Sequence, residues 1–116
     1  MYPLVLSAST IMGDEVVNAE HEKLGEIKEL MIDLGAGQIS YAVLSFGGFL
    51  GLGEKLFAIP WGAFSLDPER RAFVLDVERD LLEEAPGFDQ DDWPQTENRE
   101  YVMEIYKYYG YEPYWS

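Results

Sequence analysis

Four glycines and a lysine between positions 47 and 55 are the first residues in this chain whose types and spacing could do chemistry. The stretch SFGGFLGLGEKLFAIPW (45–61) sets Gly47, Gly48, Gly51 and Gly53 just ahead of Glu54 and Lys55. A phosphate loop of the form G-x-x-x-x-G-K-[ST] needs lysine directly after its second glycine, then a hydroxyl for magnesium. Gly48 to Gly53 has the right gap, but Glu54 takes the lysine position and Leu56 follows Lys55. A carboxylate at that point repels a phosphate. The dinucleotide fingerprint G-x-G-x-x-G fails too, because Gly48-x-x-Gly51-x-Gly53 runs in the reverse order. Both motifs lead into a helix whose first N–H groups hold the anion, whereas LFAIP reads as a strand closed by proline. The segment is therefore predicted to join two antiparallel strands. That leaves Phe49, Leu50 and Leu52 to be explained, either as a lid over one end of the core or as a contact surface.

Other reactive residue types are sparse. His21, the one histidine, lies in the polar turn AEHEK; a metal site needs several such ligands or a carboxylate cage. Ser45, in VLSFG, lacks the first glycine of a nucleophile elbow. The acidic run Asp89-Gln90-Asp91-Asp92 suggests calcium, but Trp93 and Pro94 fall at the fifth and sixth positions, where a calcium loop needs an Asp or Asn ligand and its glycine. No catalytic set and no cofactor are expected. A divalent cation or small molecule held at the acidic linker or the barrel mouth is the alternative reading.

Eight basic against 22 acidic residues give a formal charge of −14. Such a field opposes nucleic acid, whose binding depends on neutralising phosphates, and opposes an anionic membrane surface. It favours a basic protein partner. Cysteine is absent, so no disulfide framework or thiolate chemistry is expected. The start, MYPLVLSAST, has no basic n-region, and no apolar run is long enough to span a bilayer. These features point to a cytoplasmic protein.

The elements that must position all this read mainly as short strands. Val16 and Val17 lead into the turn NAEHEK, then LGEIKELMIDL (24–34) changes phase, with Ile27 on one parity and Leu30, Ile32 and Leu34 on the other. A slip of that kind predicts a β-bulge near Lys28–Glu29. Gly35-Ala36-Gly37 turns the chain. ISYAVLSF (39–46) is apolar on both parities, the pattern of a strand covered on both sides. Strands follow over 55–61, from Phe64 to Leu66, and over 72–77, with the turn LDPERR before the last. This spacing predicts a small β-barrel or sandwich over 1–80. Residues 81–95 read as an acidic, proline-containing linker packed on the barrel. Residues 96–116 read as a helix capped by Thr96 and stopped by Gly110, with an aromatic tail, all within one domain. Nine of the seventeen aromatics fall in 88–116, so this tail is expected to pack on the barrel or on a second subunit.

The 45–61 stretch resembles the PRC-barrel domain. STIMGDEVVNAEHEKLGEIKELMIDLGAGQISYAVLSF is similar to that family's opening, and APGFDQDDWP is similar to the segment after the barrel in free-standing bacterial members. The family includes the cytoplasmic part of the photosynthetic reaction centre H subunit and the C-terminal domain of RimM. The resemblance implies a mainly β fold, a small bent antiparallel PRC-type β-barrel, with the helix added at its C-terminal end. It also implies a docking role and carries no catalytic residues. The expected partner is a protein, including a second copy of this chain as a homodimer. The expected contacts are Phe49, Leu50, Leu52, Trp93, Tyr108 and Tyr111.

Overall fold

Turn chemistry fixes where the first strands begin and end. The computed structural model describes residues 6–47, 54–67, 72–77, 79–85, 87 and 99–115. Ser7 caps a one-turn helix, α1 (Ala8–Ile11), by accepting from the Thr10 N–H at 3.2 Å. After β1 (Glu15–Val17), the buried Asn18 organises the polar turn. Its Oδ1 accepts from the backbone N–H groups of Glu20 and Glu22 at 3.0 and 2.9 Å. Its Nδ2 donates to Glu22 Oε1 at 2.9 Å. This closed loop of bonds holds His21 at φ 68°. The lone histidine is thus an exposed turn residue.

β2 (Lys23–Asp33) and β3 (Gln38–Gly47) form a long hairpin, followed by β4 (Glu54–Pro60). A 3-10 turn (Trp61–Ala63) passes directly into β5 (Phe64–Asp67), and β6 (Ala72–Leu75) follows. Among the described residues the strands form one sheet in the order β4-β3-β2-β1-β6-β5. Every neighbouring pair is antiparallel except β1–β6, which is parallel through Val16↔Phe73 and Val17↔Val74. The sheet is a curled half-barrel. Gly47 pairs with Glu54, so residues 48–53 join adjacent antiparallel strands, and the element after them is a strand. That is the outcome the failed phosphate motifs predict.

Bulges supply the curl. Ile27 pairs with Leu44 and Glu29 with Val43, which leaves Lys28 as an extra residue in β2, where the sequence phase slips. Against β1, Val16 faces Gly25 and Val17 faces Lys23, so Leu24 is a second extra residue. An added residue bends its strand and increases twist. Leu24, Ile27 and Leu30 all reach the core at intervals of three, a spacing that a regular strand would split between two faces. Gly25 permits this at close quarters: a Cβ there would stand 1.8 Å from the Ser45 carbonyl oxygen.

The two parities of β3 and β4 bury against different partners. Ala42, Leu44, Phe46, Phe57 and Ile59 point into the curl with Val16, Phe73, Leu75 and Leu82. Tyr41, Val43, Leu56 and Ala58 point outward and meet Val102, Ile105 and Tyr106 of α3 (Arg99–Tyr109). A strand apolar on both sides is therefore covered on both sides, by sheet and by helix. Across the boundary expected between barrel and linker at 80/81, the chain forms a short helix, α2 (Arg79–Glu83), whose Leu82 is fully buried. Thr96 and the expected cap of α3 lie outside the described residues.

Candidate functional site

A second irregularity in the hairpin creates the most distinctive surface. Met31 pairs with Tyr41 and Ile32 with Ile39, so Ser40 is an extra residue in β3. The bulge frees the Ser40 carbonyl from the ladder, and the buried Tyr106 hydroxyl donates to it at 2.5 Å. α3 then ends in a left-handed turn. Gly110 has φ 79°, its N–H bonds the Lys107 carbonyl at 3.1 Å, and the Tyr111 N–H bonds the Tyr106 carbonyl at 2.8 Å. This pair of bonds is the Schellman pattern. It folds the tail back, so that Tyr114 and Trp115 stack beside Tyr106 with ring centroids 6.0 and 6.4 Å away.

Asp33 ties that tail to the sheet. One carboxylate oxygen accepts from the N–H groups of Gly35 and Ala36 at 3.0 and 3.1 Å, which makes the β2–β3 turn. The other accepts from the Tyr114 hydroxyl at 2.5 Å. The Tyr114 bond, then the Ala36 and Gly35 bonds, hold the Asp33 carboxyl below its ordinary value of 3.8, against the opposing effect of burial. Burial and Asp33 in turn raise Tyr114. Burial also pushes Tyr101 and Tyr106 up to about 12, with Glu104 adding to the first and Tyr114 to the second. These phenols move away from neutral pH, so they act as hydrogen-bond donors rather than bases.

Between the turn and the tail lies a half-open cavity of about 370 Å³. Its walls include Met31, Asp33, Ser40, Tyr41, Arg99, Val102 and Trp115, with Ile32 and Leu34 at the lip. The Arg99 guanidinium stands 4.5 Å from the centre of the Trp115 ring, within cation–π range. Ser40 is 5% exposed, and its hydroxyl has no hydrogen-bond partner among the described residues. It does lie near enough to the Tyr114 hydroxyl to favour ionisation there. Ile32 and Leu34, on the same parity as the buried Leu30, are 54% and 90% exposed. The bulge at Ser40 and the turn beyond Asp33 end the regular alternation before it reaches them.

Of the contact residues expected from sequence, Phe49, Leu50, Leu52 and Trp93 lie outside the described residues. Tyr108 is half-buried and donates to the Leu81 carbonyl at 2.8 Å, linking α3 to α2. Tyr111 is 38% exposed just past the helix stop. Neither lines the cavity. Asp33, Ser40, Arg99 and Trp115 belong to no motif in the sequence. A D-x-G turn is the one local signal that could have flagged Asp33, and nothing local marks Ser40 as a bulge. Among the described residues no group of three or more His, Cys, Asp or Glu could hold a metal. The run 89–92 lies outside them. No described helix is long and apolar enough to cross a membrane.

Comparison with solved structures finds a similar chain in RimM from Pseudomonas aeruginosa, named for 16S ribosomal RNA processing. It is 22% identical with a TM-score of 0.43, over 65% of this chain and 45% of that one. The present chain thus spans less than half of that protein's length. No curated protein matches. Residues 4–82 match the PRC-barrel domain, whose mainly β half-barrel is the six-stranded sheet of this chain, and the chain belongs to the PRC-barrel family.

Proposed function

We propose that this PRC-barrel chain is a non-catalytic interaction module that docks a basic protein partner into an assembly. The reading rests on the apolar tip of the β2–β3 hairpin: Ile32 and Leu34 are 54% and 90% exposed on a chain of net charge −14. Desolvating each would contribute about 1.5–3 kcal/mol if burial were complete. Charge decides which partner to expect. Two copies at −14 repel each other, whereas a basic surface is drawn in and oriented. The loop 48–53, with Phe49, Leu50 and Leu52, leaves from the opposite end of β3 and offers a separate candidate contact.

The test uses the full chain as bait. Any captured partner is then measured against Ile32→Ser with Leu34→Ser, and against Phe49→Ser with Leu50→Ser. The hairpin pair is expected to weaken the complex at least about tenfold with melting temperature held, and added salt should slow association. A stable homodimer in native mass measurement, dissolved by the same substitutions, would replace the basic partner with a second copy. Binding indifferent to both pairs and to salt would overturn the reading.

A further inference from the structure

We propose that the cavity between the β2–β3 turn and the folded-back tail binds a small organic carboxylate with an apolar body. Arg99 would grip the carboxylate, the Ser40 hydroxyl would add a hydrogen bond, and Met31, Val102 and Trp115 would enclose the body. The inference goes beyond the docking role and does not rest on it.

The sign of the ligand's charge follows from which polar groups already have partners. Asp33 is supplied by three donors, the N–H groups of Gly35 and Ala36 and the Tyr114 hydroxyl. Little of its accepting capacity remains for a cation. Arg99 is the reverse case. Among the described residues it makes no ion pair; it lies over the Trp115 ring face, and Asp33 across the cavity feels its charge without a direct contact, so its N–H groups are not held by a carboxylate there. The guanidinium fork matches a carboxylate with two parallel N–H···O bonds. Ser40 gives a second sign of a ligand: its hydroxyl, 5% exposed, lines the cavity and meets no hydrogen-bond geometry there, its one polar neighbour being the Tyr114 hydroxyl, whose proton goes to Asp33. Buried polar groups left this way are costly unless something meets them. The cavity, about 370 Å³, falls at the small end of the range typical of ligand sites. The net charge of −14 opposes any anion at long range. At physiological salt that repulsion is screened beyond about 8 Å, whereas a direct contact with Arg99 is not.

Titration of the isotope-labelled full chain, followed by NMR, tests this with three probes alike in shape: phenylacetate, phenylacetamide and benzylamine. Phenylacetate is expected to shift the Ser40 and Tyr41 amides and the Trp115 indole N–H saturably. Phenylacetamide, which lacks the charge, should bind about tenfold more weakly. Arg99→Gln should cost about the same factor, and Ser40→Ala a smaller one, with the remaining spectrum preserved. Should Arg99→Gln disturb the fold, the acid–amide comparison on the unaltered chain still decides. Equal binding of acid and amide, tighter binding of benzylamine, or no saturable shift would each overturn the proposal.

Discussion

The inner and outer faces of β3 and β4 hold the molecule together in different ways. Inside the curl, the fully packed side chains are hydrocarbon: Val16, Ile27, Leu44, Ile59, Leu75 and Leu82 meet with no hydroxyl among them. Outside, Tyr41 and Tyr106 are buried among Val43, Leu56, Val102 and Ile105. There α3 and the tail are placed by directed bonds, from Tyr106 to Ser40 and from Tyr114 to Asp33. Hydrophobic burial is indifferent to direction, so the inner cluster takes its geometry from strand register and bulges. The outer layer lacks a ladder and takes its geometry from phenolic hydroxyls. The cavity lies in that second layer, where packing is incomplete and polar groups remain to be met.

The largest expected effect attacks the inner face. Gly25→Ala would drive a Cβ into the Ser45 carbonyl, which backbone movement must relieve at a cost of about 3 kcal/mol or more. Chemical denaturation would show it as a lower midpoint, and an unchanged midpoint would mean the two strands are not so close. A second prediction sharpens the contrast with matched truncations. Ile59→Ala, inside, should cost about 3 kcal/mol, and Ile105→Ala, outside, about 2 kcal/mol. Hydrogen exchange separates them further, since Ile105→Ala should speed exchange in α3 while β1 and β6 keep their protection.

Tyr106→Phe comes third. It removes one hydroxyl and leaves the Ser40 carbonyl buried without its donor, a loss of about 1–2 kcal/mol by denaturant titration. The smallest effect is at the tail. Because Asp33 titrates below 3.8 in the folded chain, its contribution is present in full above the unfolded value and fades as pH falls through the folded one. Tyr114→Phe should therefore bring the Asp33 carboxyl back toward 3.8 in an NMR titration. It should also narrow its stability gap to the parent chain as the solution is acidified. A gap independent of pH would show that the Tyr114–Asp33 bond does not couple tail to turn.

Some of this was legible in the sequence and some was not, for identifiable reasons. The bulge at Lys28 was readable because β2 is polar on one side, so a slipped register appears as a slipped pattern. The bulge at Ser40 was hidden because β3 is buried on both sides and has no phase to lose. The burial of ISYAVLSF was evident, but not that α3 is one of its two covers. The parallel β1–β6 pairing joins Val16 to Phe73, and no local alternation encodes a partner that distant. The cavity was likewise out of reach, since it combines residues 31–41 with 99–115 through a fold-back set at Gly110. Family resemblance supplied the fold directly and said nothing of this site.

The seam between β1 and β6 also bears on how the chain matures. As synthesis proceeds, the β2–β3 and β3–β4 hairpins can close as soon as their strands emerge, because each needs only a short loop. Val16 must wait until Phe73 has been made before its outer edge is satisfied. Closing that long interval carries a larger entropic penalty and slows the step. Until then β1 is an unprotected edge on a nascent sheet, so the interval between those two residues is when aberrant strand pairing has its opportunity.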